Sequence, residues 1–312
     1  MSGPRRGRAG RPRAGPHTGA VNVLLAMLGV AGVSLSGPIM AATAAPAMAI
    51  AFWRTALATA ALGPFALTRS RGELRALDAR GWRTTAFAGL MLALHFATWI
   101  TALTLTSVAA ATALVATQLV WVVLIERLRG TPVARPVALG SAVAIAGVLV
   151  VSGVDLSVSP EALLGDVCAL LGGMFAALYL VAGESVRRSL STTAYTFVCY
   201  GICAVALAVA CAAGLVPLVG FDAEDWLLIV AVTVVAQLGG HSIFNHLLAV
   251  MSPTVVSLFI LLEVPGAALL AALLLGQAPA WGVYAGLALM LAGLAVVTLA
   301  RRPAPAEVPL AE

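Results

Sequence analysis

The chain has no lysine. All 18 of its permanently basic side chains are arginines, and charged residues of either sign fill only 10% of its 312 positions. Soluble domains carry about 25% charged residues, so a water-exposed globular surface is excluded. A hydrophobic content of 61% and a mean hydropathy of +1.03 indicate a membrane protein instead. The arginines sit in short runs beside apolar stretches and do not track a groove, which argues against a nucleic-acid partner. No G-x-x-x-x-G-K-[ST] phosphate loop and no soluble segment to hold a nucleotide are present, so any energy for work must come from gradients. H-E-x-x-H is also missing, no carboxylates pair, and Ser34 and Ser36 have no evident base, leaving an intramembrane enzyme or a receptor as remote alternatives. The four cysteines, Cys168, Cys199, Cys203 and Cys211, fall inside apolar segments and read as small core residues. No Cys/His set has the spacing of a zinc site, and no metal or other cofactor is implied.

What is present is a series of apolar runs. A spanning helix needs about 20 such residues, and ten runs approach that length: 20–40, 45–67, 84–104, 107–126, 136–153, 163–184, 193–214, 226–247, 252–275 and 281–300. The first follows a polar, arginine-rich segment and precedes AATAAPA, an order that also suits a cleaved leader. We read it as a span because its apolar run is long and the repeat described below requires it. Seventeen of the eighteen arginines then fall on one side: the tail 1–19, the loop around 69–83, RLRGTPVAR, Arg187-Arg188 and the tail 301–312. The opposite loops carry Asp155, Glu161, Asp222, Glu224 and Asp225 but no arginine. The positive-inside rule places both termini in the cytoplasm and the chain in the cytoplasmic membrane.

The fifth run, GSAVAIAGVLVVS, and the tenth, GLALMLAGLAVVT, share Gly140/Gly286, Ala146/Ala292, Gly147/Gly293 and Val150/Val296 without a gap. Small residues at this spacing also suit close helix packing in lipid. Each run closes a five-span unit, however, so a duplication of 20–153 and 163–300 is expected. An odd number of spans per unit makes the second copy inverted, with a site at the midplane between halves. The same register places His95 on His241, Trp99 on Asn245, Thr117 on Glu263 and Leu119 on Pro265.

Two five-span halves, each closing with a G…AG[VL]..VV pattern, together with ATALVATQLVWVVLIERL and TVVSLFILLEVPGAALLAALLLGQ, resemble the EamA-type branch of the drug/metabolite transporter superfamily. The resemblance covers nearly all of 20–300. AFWRTALA around Arg54 is similar to the family's second-span arginine, and Glu263-Val264-Pro265 matches its Glu/Pro element in the ninth span. Gln277 stands where an acid often ends LLLGE, Glu126 matches that acid in the first half, and Leu119 replaces a proline. The fourth span is therefore expected to have lost residues or shifted. The resemblance implies an all-α membrane protein of ten transmembrane helices, in two inverted five-helix repeats around a central cavity, that moves small metabolites, amino acids or drugs, often outward.

Polar residues within the spans supply the candidate sites. An ionised acid at the bilayer centre costs about 3 kcal/mol on insertion scales, so Glu263 should face a cavity or hold a partner, and such acids serve as proton relays. Alternatively, it is a neutral acid tying neighbouring helices together. Pro265 has no N–H to give the Leu261 carbonyl, which is expected to be free for water or ligand, with Gly266 adding a second break. Gln237, His241 and Asn245 at four-residue spacing form one polar stripe, read as cavity lining or as interhelical hydrogen bonding. His95 and Trp99 share a face of the third span. Trp99 and Trp121 offer stacking to an aromatic or cationic solute or pack structurally. Thr117 and Gln118 are candidates for polar contacts and Tyr179 for a hydroxyl contact. Arg54 is expected to be structural, paired with an acid or carbonyls, and Gly37-Pro38 to form a hinge in the first span.

These observations converge on a secondary transporter exporting a small neutral, zwitterionic or cationic solute, in exchange for protons at Glu263. A facilitative importer or exchanger is the alternative. The scarcity of cavity charge argues against multiply anionic ligands. The partners are the solute, protons and the bilayer, and a homodimer is left open.

Overall fold

The computed structural model describes residues 16–154, 159–276 and 281–300. Most of the arginine-rich tail, the 301–312 tail, Asp155 and Gln277 lie outside the described residues. The first run is divided into α1 (Pro16–Ser34) and α2 (Ser36–Ala41), so the last residues of the predicted tail are helical. Next come α3 (Ala47–Arg69), a short α4 (Arg71–Ala76) and α5 (Ala79–Leu105). The fourth run divides into α6 (Val108–Val115) and α7 (Gln118–Leu128), followed by α8 (Arg135–Val154), α9 (Pro160–Arg187) and α10 (Thr192–Ala213). The eighth run comprises α11 (Ala223–Val232), a π-helical segment (Thr233–His241) and α12 (Ser242–Leu247). The ninth divides into α13 (Pro253–Ile260) and α14 (Glu263–Leu275), and α15 (Trp281–Ala300) completes the described fold.

Capping residues set where several of these helices begin. The side chains of Asp78, Ser107, Ser159, Ser191 and Asp222 each accept a backbone N–H of the first turn, which would otherwise lack an acceptor. Among the described residues, eight helical stretches are long and apolar enough to cross a membrane. The other two expected spans, α8 and α15, have shorter described apolar windows, 135–150 and 284–297. Leu24, Leu28, Leu67, Leu163, Leu164, Val205, Val209 and Leu227 all point outward. Such a surface suits hydrocarbon as its solvent.

Helix pairing positions the interior. The most extensive packing joins α5 to α9, α8 to α15, α3 to α10, α5 to α10 and α1 to the π segment, while α6 meets α14 and α7 meets α13. Glycines bring several of these backbones close. A Cβ on Gly147 would lie 2.6 Å from the Gly286 carbonyl, and one on Gly32 would lie 2.6 Å from the Val235 carbonyl. In lipid, where apolar surface gains nothing by leaving the solvent, such close contact is what holds helices together.

Candidate functional site

The split fourth and ninth spans pack against each other. In the fourth, the helix breaks at Ala116–Thr117 and resumes through tight bonds, with Leu119 donating to Ala116 and Val120 to Thr117. In the ninth, the break falls at Leu261–Leu262, directly before Glu263. Pro265 removes a helical donor as expected, but the Leu261 carbonyl is not left free. It accepts the Val264 N–H at 3.2 Å, because the chain tightens to an i to i+3 turn. The first span breaks at Leu35, just before the expected Gly37-Pro38 hinge. Gly266 packs on this break: a Cβ there would collide with the Ser34 hydroxyl.

A small cavity, with about 40 Å³ open to water, lies beside these breaks. Its walls carry His95, Trp99, Gln118, Tyr179, His241 and Glu263. The space admits a few waters but no organic solute, since one water needs about 10–15 Å³ measured in this way. His95 and His241 have ring centroids 6.4 Å apart, and Trp99 stacks on His95 at 5.6 Å with the planes 9° apart. Nδ1 of His95 lies 3.0 Å from the Gly172 carbonyl, which can only accept. That nitrogen therefore carries the proton, leaving Nε2 as the variable atom. Glu263 is 8% exposed on the cavity wall, and among the described residues nothing hydrogen-bonds its carboxylate.

The seat for His95 and Trp99 is a glycine pair that sequence reasoning passed over. A Cβ on Gly172 would lie 3.3 Å from Trp99 Cβ, and one on Gly173 would lie 2.7 Å from the Val115 carbonyl and 3.2 Å from the Gln118 nitrogen. These two residues let α9 approach both α5 and the break in the fourth span. The doublet LLGGMF was the available signal.

Several candidates lie elsewhere. The predicted stripe Gln237, His241, Asn245 does not face one way: the turn from Gln237 to His241 is π-helical, where four-residue spacing no longer aligns side chains, and Asn245 lies beyond it in α12 with partners of its own. Only His241 reaches the cavity. Gln237 is fully buried and accepts from Arg54 Nε at 2.9 Å, while Asn245 accepts from the Tyr179 hydroxyl at 2.6 Å and donates to the Tyr200 hydroxyl at 3.2 Å. Thr117 turns its hydroxyl back to the Leu114 carbonyl at 2.6 Å, and Trp121 is 37% exposed on the outer face of α7. Gly37, Pro38, Pro265 and Gly266 stand behind the lining and not in it.

Arg54 is fully buried, but its partners are neither an acid nor backbone carbonyls. Besides Gln237, it donates to Ser36 Oγ at 3.2 Å and Met40 Sδ at 3.4 Å, and its guanidinium carbon lies 4.2 Å from the centroid of the Phe96 ring. Phe96 meets His241 edge-on at 5.3 Å, so one aromatic ring separates the cation from the cavity. Arg187, which the sequence places among the topology-setting charges, is instead buried. It donates to the Asn245 carbonyl and Thr192 Oγ1, each at 2.8 Å, and to the Leu190 carbonyl. Nothing distinguishes it from Arg188 by sequence.

Comparison with known proteins follows the same lines. A family model described as the EamA-like transporter family matches twice, over residues 17–153 and 163–299. A solved structure described only as "Crystal structure of protein" shares the fold with a TM-score of 0.71 at 19% identity, covering 90% of this chain and 97% of its own. No curated protein matches the chain.

Proposed function

Because the chain belongs to the EamA-like transporter family, we propose that it is a secondary transporter that exports a small neutral, zwitterionic or cationic organic solute in exchange for protons. It is a multi-pass membrane protein of a transporter family and not an enzyme. The observation that carries the reading is the meeting of His95, His241 and Glu263, from the two matched halves, around one cavity. Glu263 takes the proton and the solute in turn, assisted by His241 or His95, with Trp99, Gln118 and Tyr179 contacting the solute. The narrow cavity corresponds to an occluded state, so a solute enters only when the halves rock apart.

The architecture behind this reading has ten spans in two inverted repeats, 20–153 and 163–300, with both termini in the cytoplasm. Two features support it. Packing of α5 on α9 and of α1 on the π segment is one contact seen twice if each span in the first half matches one in the second. The splits at Ala116–Thr117 and Leu261–Leu262 fall within one residue of each other in the register that carries His95 onto His241. Arginine enrichment at one end supports a cytoplasmic-membrane location.

The test is proton flux in proteoliposomes holding a pH-sensitive dye and offered amino acids, aromatic cations and nucleosides. A solute-dependent pH change that vanishes in Glu263→Gln is the expected result. Undiminished coupling in that variant would sink the role of Glu263, and counterflow of a labelled solute without pH change would make the protein a facilitative exchanger.

A further inference from the structure

At the arginine-rich end lies a second, wider cleft of about 840 Å³, within the range of ligand sites. Its floor is the last turns of α9, with Ala182, Ser185 and Val186, and Ser189 just beyond them, and its walls are α5 and the end of α7. Three arginines line it: Arg80 and Arg83 from α5, the latter also donating its Nε to the Ala79 carbonyl at 3.3 Å, and Arg129 from the end of α7. Among the described residues none of the three is in an ion pair. The one lining acid, Asp78, is engaged as the cap of α5, accepting from the Gly81 N–H at 2.7 Å. Glu126, one turn before Arg129, accepts from the Thr254 hydroxyl. The lining hydroxyls are turned to their own helices: Thr84 to the Arg80 carbonyl, Ser185 to Ala182 and Ser189 to Val186. The donors left for a ligand are therefore cationic, and the ligand should be an anion.

Phe87 also lines the cleft, and exposed apolar side chains lie further along the same two helices. On α5 the arginine face continues, turn by turn, into Phe87 and Leu90, which are 44% and 45% exposed. On α7, Leu124 and Leu128 precede Arg129 and are 44% and 79% exposed. A ligand filling this site carries its charge at the membrane surface and apolar chains toward the membrane centre. We propose that the cleft is a binding site for an anionic phospholipid of the arginine-side leaflet, its phosphate held by Arg80, Arg83 and Arg129 and its acyl chains laid over Phe87, Leu90, Leu124 and Leu128. Basic pockets between spanning helices hold acidic headgroups in this way. The proposal rests on the multi-pass placement and not on the transport reading.

The full chain, purified in neutral detergent, is titrated with phosphatidylglycerol, phosphatidylcholine and inorganic phosphate. Bound lipid is counted by native mass spectrometry while the unfolding temperature is followed. Phosphatidylglycerol should be retained and should raise the unfolding temperature, whereas phosphatidylcholine and phosphate should do neither. The combined variant Arg80→Gln, Arg83→Gln, Arg129→Gln should bind phosphatidylglycerol about 100-fold more weakly. Arg75→Gln, on exposed α4 at the same end but outside the cleft, should bind as the parent does. If the triple variant fails to accumulate, Arg129→Gln alone should show a loss of about 5-fold. Equal retention of both lipids, undiminished binding by the variants, or stabilisation by phosphate alone equal to that by phosphatidylglycerol would overturn the assignment.

Discussion

Gly140 of α8 and Gly293 of α15 face each other so closely that a Cβ on either would meet the other's carbonyl oxygen. Seven residues along each helix in opposite directions, a Cβ on Gly147 would meet the Gly286 carbonyl oxygen. The four glycines that match by sequence thus pair crosswise in space. Gly140→Val should cost about 1–3 kcal/mol, as overpacking does, seen as a lower unfolding temperature in detergent. Gly130→Ala, in a turn with nothing near its added carbon, should leave packing intact and lose only the small amount owed to its positive φ. Equal effects at the two positions would show that α8 and α15 do not depend on this contact.

The Arg54–Gln237 bond ties the second span to the eighth deep inside the fold. Gln237→Leu deprives a buried guanidinium of an acceptor, and losing a hydrogen bond to a charged group costs about 1.5–3 kcal/mol. Adding Arg54→Met removes the stranded charge and should restore much of the loss. A double-mutant cycle on chemical unfolding measures the coupling. Additive losses would mean that Arg54 is held chiefly by Ser36, Met40 and Phe96.

Much of the cavity was legible because the polar residues that reach it are isolated within apolar runs. His95, His241 and Glu263 stand out for that reason, and the glycines of the fifth and tenth runs reveal how the ends pair. The positions that read differently share a cause, which is departure from the regular α-helix. A π segment turns Gln237 away from His241, and a tightened turn recaptures the Leu261 carbonyl. Helical periodicity at 3.6 residues per turn cannot foresee either. Arg187 shows a different limit: charge at the end of a span looks the same whether it snorkels or is buried against carbonyls.

The two tryptophans should separate in function. Trp99 lines the cavity beside His95, whereas Trp121 faces outward. Loss of one aromatic stacking partner is worth about 0.5–1.5 kcal/mol, so Trp99→Leu should weaken binding of an aromatic solute about 2- to 12-fold in counterflow assays. Trp121→Leu should leave affinity unchanged. The reverse ranking would move the solute site to the outer face of α7.

Gly266 offers a second-site test of the central junction. It packs on Ser34 where α1 ends, beside the cavity wall formed by Val33 and Glu263. Gly266→Ala places a methyl group against both Oγ and Cβ of Ser34 and should push the first and ninth spans apart, lowering transport and unfolding temperature together. Ser34→Gly removes both atoms that the methyl group meets. It costs at most about 1 kcal/mol as a glycine in a helix, less at the terminus it occupies. The pair should therefore recover transport toward the parent rate even though each change alone reduces it. Recovery measures a local collision at this junction; a double variant as impaired as Gly266→Ala would show instead that the glycine is needed for its backbone freedom, as a hinge in the ninth span would require.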